Sequence, residues 1–270
     1  ITMGGGVTPA TGYAIGTAGS GNSGIDVFGN ITAGAGNVTL HGQSALGNGI
    51  TFGGGLLSSD GVVTIDGMTF RGGAGTNIPA NYFAGVRFQN AGTRLTTASG
   101  AVLITGYASG GTESQGVTVD AATIETTGAG TLFLSGTAAT LGNSGWGIGI
   151  NSGGLVRSTA VGGGSLNFGA VSPDWGNVLF NGSITSNGGA VSLFDQSVSG
   201  IYLAGTGGID AGANGSISLT TDRTLFTNTL QALGGTLSIK PVTAGSTIGI
   251  AGGAGTLALS AANFSTNFSN

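Results

Sequence analysis

Ten carboxylates, one imidazole and six cationic side chains carry nearly all the ionisable chemistry of this 270-residue chain. Glycoside hydrolysis needs two carboxyl groups about 5–10 Å apart. Asp26, Asp60, Asp66, Glu113, Asp120, Glu125, Asp174, Asp195, Asp210 and Asp222 are scattered, with no Asp-Asp or Asp-x-Asp pair. Asp60 and Asp66 flank one strand, and Asp120 and Glu125 lie near another corner. Asp66 and Asp120 could meet across adjacent repeats, but an acid beside glycine is ordinary turn chemistry. His41 is the single histidine, too few for a histidine metal centre. It follows the segment GNVTL and reads as a solvated or capping side chain at a corner. Cysteine is absent, which excludes disulfides and thiolate metal sites. No G-x-S-x-G elbow is present, and Lys240 is the one lysine, short of what lyase chemistry wants. The triplets Gly53–Gly55 and Gly162–Gly164 lack the following Lys-Ser/Thr of a phosphate loop. GGIDAGANG from Gly207 has no tandem copies, so no structural calcium is expected. These residues predict no enzyme, no cofactor and no metal.

Recognition is the chemistry left. The segment Gly67–Gly85 concentrates Phe70, Arg71, Tyr82 and Phe83, with Arg87 close behind. Aromatics with arginine are the common composition of a recognition surface, and long loops often carry function. The competing reading is an apolar flap folded over the side of the protein, which would cover the outward Leu103 and Phe133. Trp146 and Trp175 each stand directly before a glycine at equivalent places in their repeats. Stacked, they form either a stabilising aromatic ladder or a platform for a sugar. The candidate recognition surface is therefore Phe70, Arg71, Tyr82, Phe83, Arg87, Trp146 and Trp175.

What must position these residues is a repeat. Gly-x-φ-x-φ, with φ apolar, recurs as GNVTL at Gly36, GVVTI at Gly61, GAVLI at Gly100, GTLFL at Gly130 and GSLNF at Gly164. It continues as GAVSL at Gly189, GSISL at Gly215, GTLSI at Gly235 and GTLAL at Gly255. The shortest spacing is twenty residues, between the last members, and the longer spacings read as the same unit with inserted loops. A second column follows as GITF, GVRF, GVTV, GIGI, NVLF, GIYL and TIGI, the last from Thr247. A third precedes the next phrase, including NITAGAG at Asn30, RLTTASG at Arg94, TIETTGAG at Thr123, SITSNGG at Ser183 and GIDAGANG at Gly208. Alternation of period two places Val63 and Ile65 inward with Thr64 outward, and Leu237 and Ile239 inward with Ser238 outward. Glycine at the corners permits positive φ, and no 3.6-residue stripe predicts a helix.

Three short strands per unit cannot close a core alone, so successive units must stack. The predicted fold is all-β: a right-handed parallel β-helix, or β-solenoid, of about nine to eleven coils with variable loops. Residues 1–270 read as a single solenoid domain, expected to be part of a longer repetitive chain or a filament subunit. Composition agrees: 59 glycines, 39% hydrophobic and only 6% charged residues leave Ser, Thr, Asn and Gly to cover the surface. Net charge −4 with six basic residues argues against nucleic acid. The sequence has no apolar run of the ~18 residues a membrane helix needs and no signal-peptide pattern at Ile1–Gly6, so a mature or excised piece is expected.

The segment TLSIKPVTAGSTIGIAGGAGTLALSAANFS, Thr236–Ser265, resembles one that recurs in large bacterial exoproteins of the filamentous-haemagglutinin type. Those carry basic-Pro-x-Thr-x-Gly-x-x-Ile, a glycine-rich turn and an aliphatic strand, and units such as GSITSNGGAVSL resemble their repetitive shafts. The resemblance implies a secreted adhesin or surface fibre on the bacterial cell surface, exported through an outer-membrane secretion partner or as an autotransporter passenger. The implied partners are copies of itself or adjoining solenoid repeats, and host or cell-surface glycans or proteins. The N-terminal secretion signature of that family is not evident in this sequence. A carbohydrate-binding or carbohydrate-cleaving β-helix is the alternative function, and ice binding is disfavoured because Thr-x-Thr does not repeat on one face.

Overall fold

The computed structural model describes residues 1–17, 22–70, 83–110, 114–139 and 145–269. Three sheets run the length of the molecule, and the chain visits them in rotation. The first contains Val38–Ser44, Val63–Phe70, Val102–Ser109, Leu132–Ala138, Leu166–Val171, Ala190–Asp195, Ser216–Thr220 and Thr236–Lys240, stacked in sequence order. The second runs from Ile25–Val27 to Thr224–Phe226, the third from Ile31–Gly34 to Phe268–Ser269. Every pairing between named strands is parallel. This is the predicted right-handed parallel β-helix, and at about 4.8 Å per coil its first sheet is about 40 Å long.

Register follows the glycine phrase. Val38 pairs with Val63, Val63 with Val102, Val102 with Leu132, and Leu132 with Leu166. Leu166 then pairs with Val191, Val191 with Ile217, and Ile217 with Leu237. These residues face inward, as do Leu40, Ile65, Ile104, Leu134, Phe168, Leu193 and Leu219 two places on. The third sheet adds Ile31, Leu57, Leu95, Ile124, Val156, Ile184, Ile209 and Leu230. In the second sheet Phe52 and Phe88 stack face to face, centroids 4.5 Å apart and planes 1° from parallel. A one-residue slip would turn each such row to solvent, so burial itself fixes the register.

Two features make the corners. Between the first and second sheets the chain folds back so closely that glycine meets glycine. A Cβ at Gly106 would lie 1.9 Å from the Gly116 carbonyl oxygen, and one at Gly136 would lie 1.9 Å from that of Gly147. After five of the eight second-sheet strands the turn begins with a residue at positive φ: Asn90 (76°), Ala121 (55°), Ser152 (52°), Asn181 (58°) and Gly205 (86°). Four of these five are not glycine, although glycine supplies most of the positive-φ positions among the described residues, as expected of the corners.

The C-terminal stretch departs from the predicted repeat. The twenty-residue coil is real, but it runs from Ser216–Thr220 to Thr236–Lys240, with Thr224–Phe226 as its second-sheet strand. GTLAL does not stack on GTLSI: Leu257–Leu259 pairs with Ile248–Ile250 in a separate two-stranded sheet. Pro241 interrupts the chain just past the last first-sheet strand, and Asp222 anchors the Val242 and Thr243 amides at 2.9 and 3.0 Å. Leu257 and Leu259 then bury themselves at the end of the core, leaving Ile248 and Ile250 41% and 60% exposed. A short helical turn, Asn263–Asn267, brings Phe264 and Phe268 edge to face, 5.3 Å apart. The C-terminal end is thus partly capped, which the sequence reading did not foresee. Thr236–Lys240 stays an open edge with Leu237 and Ile239 only half-buried.

Candidate functional site

On the outer face of the second sheet, strands Phe83–Gln89, Ser114–Asp120, Trp146–Asn151 and Trp175–Phe180 lie side by side. Their outward residues align in rows. Gln115, Trp146 and Trp175 share one row, Arg87, Thr118, Gly149 and Val178 the next, and Gln89, Asp120 and Asn151 the third. Gly149 leaves a gap in the middle row. A Cβ there would stand 3.0 Å from both the Trp146 ring and the Asn151 amide nitrogen. Its absence lets the indole lie back over the strand while Asn151 reaches Asp120 across the coils. The result is a cleft of about 370 Å3 walled by Arg87, Asp120, Trp146, Asn151 and Phe180, with Gln115 and Ser152 at its margins.

Its polar wall is a network. Arg87 pairs with Asp120 at 3.5 Å, and Asn151 Nδ2 donates to Asp120 Oδ1 at 3.2 Å. Burial raises the Asp120 carboxyl above its ordinary value, against the opposing Arg87 charge and the hydrogen bonds from Asn151 and Arg87. Asn151 is only 7% exposed, and its Oδ1 has no hydrogen-bond partner among the described residues. Thr118 donates to Gln115, and both are buried. The apolar wall is Trp146 with Phe180, the latter 45% exposed.

Of the other predicted recognition residues, those that are described lie elsewhere. Arg71 and Tyr82, with the rest of 71–82, are outside the described residues. Phe70 packs on Tyr107, centroids 5.8 Å apart, and Phe83 is buried. Trp146 and Trp175 are register partners, but the Trp175 ring packs on Tyr202 at 5.1 Å and lines a second groove with Arg223, Leu225 and Ala258. Leu103 and Phe133 are adjacent on the first sheet, 40% and 43% exposed.

Three polar clusters were not foreseen. Glu125 lies on the outer face of the third sheet yet is inaccessible, because the Arg94 and Arg157 guanidinium groups cover it, each Nε at 2.8 Å. Burial works to raise its pKa, but the two arginine bonds outweigh this and hold it below the ordinary value. His41 sits mid-strand rather than at a corner, 13% exposed, with Nδ1 3.6 Å from Asp66 Oδ2 and its ring edge-on to Tyr13. Tyr13 donates to Asp66, and burial, that bond and the carboxylate charge raise the phenol to about 12. The tyrosine thereby straps the N-terminal strands Thr2–Met3 and Ala14–Gly16 over Val38–Ser44. The third is at the end of strand Ala190–Asp195, where Asp195 is buried and accepts from the backbone amide of Asn177 in Trp175–Phe180 at 2.7 Å. Asp66 and Asp120 do not meet across coils: the first lies in the first sheet, the second in the second sheet. Aligned repeats put Glu125 in register with Arg157, so that triad was readable; the others depend on packing between distant segments.

These features define a β-solenoid with an aromatic-and-amide cleft on its side and a second groove beside Trp175. Comparison with protein-family models, with curated proteins and with solved structures found no match. Among the described residues no three His, Cys, Asp or Glu converge as metal ligands, and no helix is long and apolar enough to cross a membrane.

Proposed function

We propose that this chain is a structural and adhesive β-solenoid, the shaft of a bacterial surface adhesin or fibre of the filamentous-haemagglutinin type. The observation that carries the reading is the open edge at Thr236–Lys240. There the inward row ends in Leu237 and Ile239, aliphatic and half-exposed, directly continuing a ladder that is otherwise sealed. An exposed strand edge is a template for a further strand, and a non-closing end-to-end contact generates a filament. The outward partners Ser192, Ser218 and Ser238 are small and uncharged, and the exposed Lys240 and the following Pro241 oppose pairing only at the end of the strand. The natural partner is a second copy or an adjoining run of repeats. Secretion to the cell surface through an outer-membrane partner belongs to the same proposal, as does the absence of a catalytic role. It is supported by the dispersal of the acids, with Asp66, Asp120, Glu125 and Asp195 each held in a separate structural network.

Sedimentation of the full chain over a hundredfold concentration range tests the stacking. Association that rises with concentration, and is lost in a Leu237→Lys, Ile239→Lys double variant, is expected. A monomer at every concentration, or association indifferent to the two lysines, contradicts it.

A further inference from the structure

We propose that the cleft between Arg87, Trp146, Asn151 and Phe180 binds one or two residues of a neutral glycan, and is the recognition surface of the shaft. The inference rests on the adhesive reading for its biological sense, while its geometry stands alone.

Size comes first. A cleft of about 370 Å3 is at the small end of ligand sites, which span ~300–1,000 Å3. It accommodates a pyranose or two, not a folded domain. Its two walls differ in a way that matches a sugar ring. Trp146 and Phe180 present apolar aromatic surface, suited to the C–H face of a pyranose. Beside them stand planar groups that accept and donate at fixed spacing, the Asp120 carboxylate and the Asn151 amide, with Phe180 next to Asn151 one coil on, suited to vicinal hydroxyls.

The Asn151 side chain points to a ligand independently. It is nine-tenths buried, its amide nitrogen is committed to Asp120, and its oxygen has no partner among the described residues. A buried acceptor left unmet is costly, and a sugar hydroxyl donated to Oδ1 would satisfy it. Charge narrows the class further. Arg87 and Asp120 neutralise one another within the site, and the chain as a whole carries −4. A sulfated or uronic glycan gains no net attraction there. A peptide is less suited, because the cleft lies on a sheet face whose strands are already paired on both sides and offers no edge to extend.

Titration of the full chain with gluco-, manno- and galacto-oligosaccharides, followed by tryptophan fluorescence and calorimetry, tests this, with a sulfated oligosaccharide as the anionic comparison. Binding of at least one neutral series is expected. Phe180→Ala, at an exposed position, and Asn151→Leu should each weaken it about tenfold, with circular dichroism unchanged for Phe180→Ala. Gly149→Ala, which adds a methyl between Trp146 and Asn151, should weaken it comparably. No binding of any neutral series, binding of the sulfated probe alone, or neutral binding indifferent to Phe180→Ala overturns the proposal. Because Leu237 and Ile239 lie on another sheet, sedimentation separates the two readings. Lost sugar binding with intact association retires the cleft alone, and lost association with intact sugar binding retires the stacking alone.

Discussion

Replacing Gly136 by alanine should destabilise the protein far more than the same change at Gly169, although both glycines lie in neighbouring strands of the first sheet. At Gly136 the new Cβ would stand 1.9 Å from the Gly147 carbonyl oxygen, 2.5 Å from its carbon and 2.8 Å from Ile148 Cγ1. Ordinary contact begins at 3.4 Å, so two backbone segments must separate by about 1.5 Å. They cannot do so independently, because the next coil repeats the contact at Gly106 and Gly116. Overpacking costs ~1–3 kcal/mol even where side chains can yield; with backbone on both sides about 3 kcal/mol is expected. Alanine in a strand regains ~0.5–1 kcal/mol over glycine, for a net loss of about 2 kcal/mol or more. At Gly169 nothing lies within 4 Å of the new Cβ, so only the gain of ~0.5–1 kcal/mol remains. Urea unfolding of both variants, followed by circular dichroism and tryptophan fluorescence, measures the difference; Trp146 adjoins the pinch and reports on it. Coincident transitions by the two probes license a single free energy. Equal stability of the two variants, or Gly169→Ala as the weaker, refutes the glycine-to-glycine corner.

Three further outcomes follow from the same structure. Ala121 holds φ at 55°, a conformation that costs an L-residue ~1–2 kcal/mol, and glycine in the unfolded chain takes back ~0.4–1 kcal/mol; Ala121→Gly should raise stability by about 0.5–1 kcal/mol in thermal melts. The Glu125 carboxyl is depressed by Arg94 and Arg157, so it contributes stability above the ordinary value of 4.5 that disappears as pH falls through the lower folded value. Glu125→Gln should remove that acid-side slope and cost about 1–2 kcal/mol at neutral pH, since both arginines are partly exposed. Tyr13 is raised from 10.0 to about 12, so its contribution is complete below pH 10 and lost between there and pH 12. Tyr13→Phe should flatten stability across that alkaline window and quicken hydrogen exchange in Thr2–Met3 and Ala14–Gly16.

The first sheet was legible because each of its strands begins with the same glycine phrase and alternates strictly, so seven successive spacings became seven registers. The eighth failed for a local reason. GTLAL copies the phrase, but Pro241 and the anchoring of Val242 and Thr243 by Asp222 send the chain out of the stack before it arrives. Thr224–Phe226 went unseen because no glycine stands before it, whereas TLQALGG from Thr229 copies the spacing of SITSNGG and was readable; the two strands supply Phe226 and Leu230 to the core. Corner chemistry is wider than glycine in one place: asparagine, serine and alanine hold positive φ where stacked neighbours fix the turn. The cleft shows the limit of pattern most clearly. Arg87 and Trp146 could be picked out by type, but the cleft exists because Gly149 is an outward position without a side chain, aligned between them by stacking. Trp175, which shares the following glycine but has Val178 where Gly149 stands, falls one coil further on and faces Tyr202 instead.

Electron microscopy of the complete native protein tests the central reading most directly. A solenoid shaft predicts slender unbranched rods, with strands perpendicular to the long axis and an axial repeat of about 4.8 Å, extending well past the ~40 Å of these coils by added repeats or end-to-end stacking. Short, discrete particles no longer than a single chain, at concentrations where stacking should be complete, would contradict it.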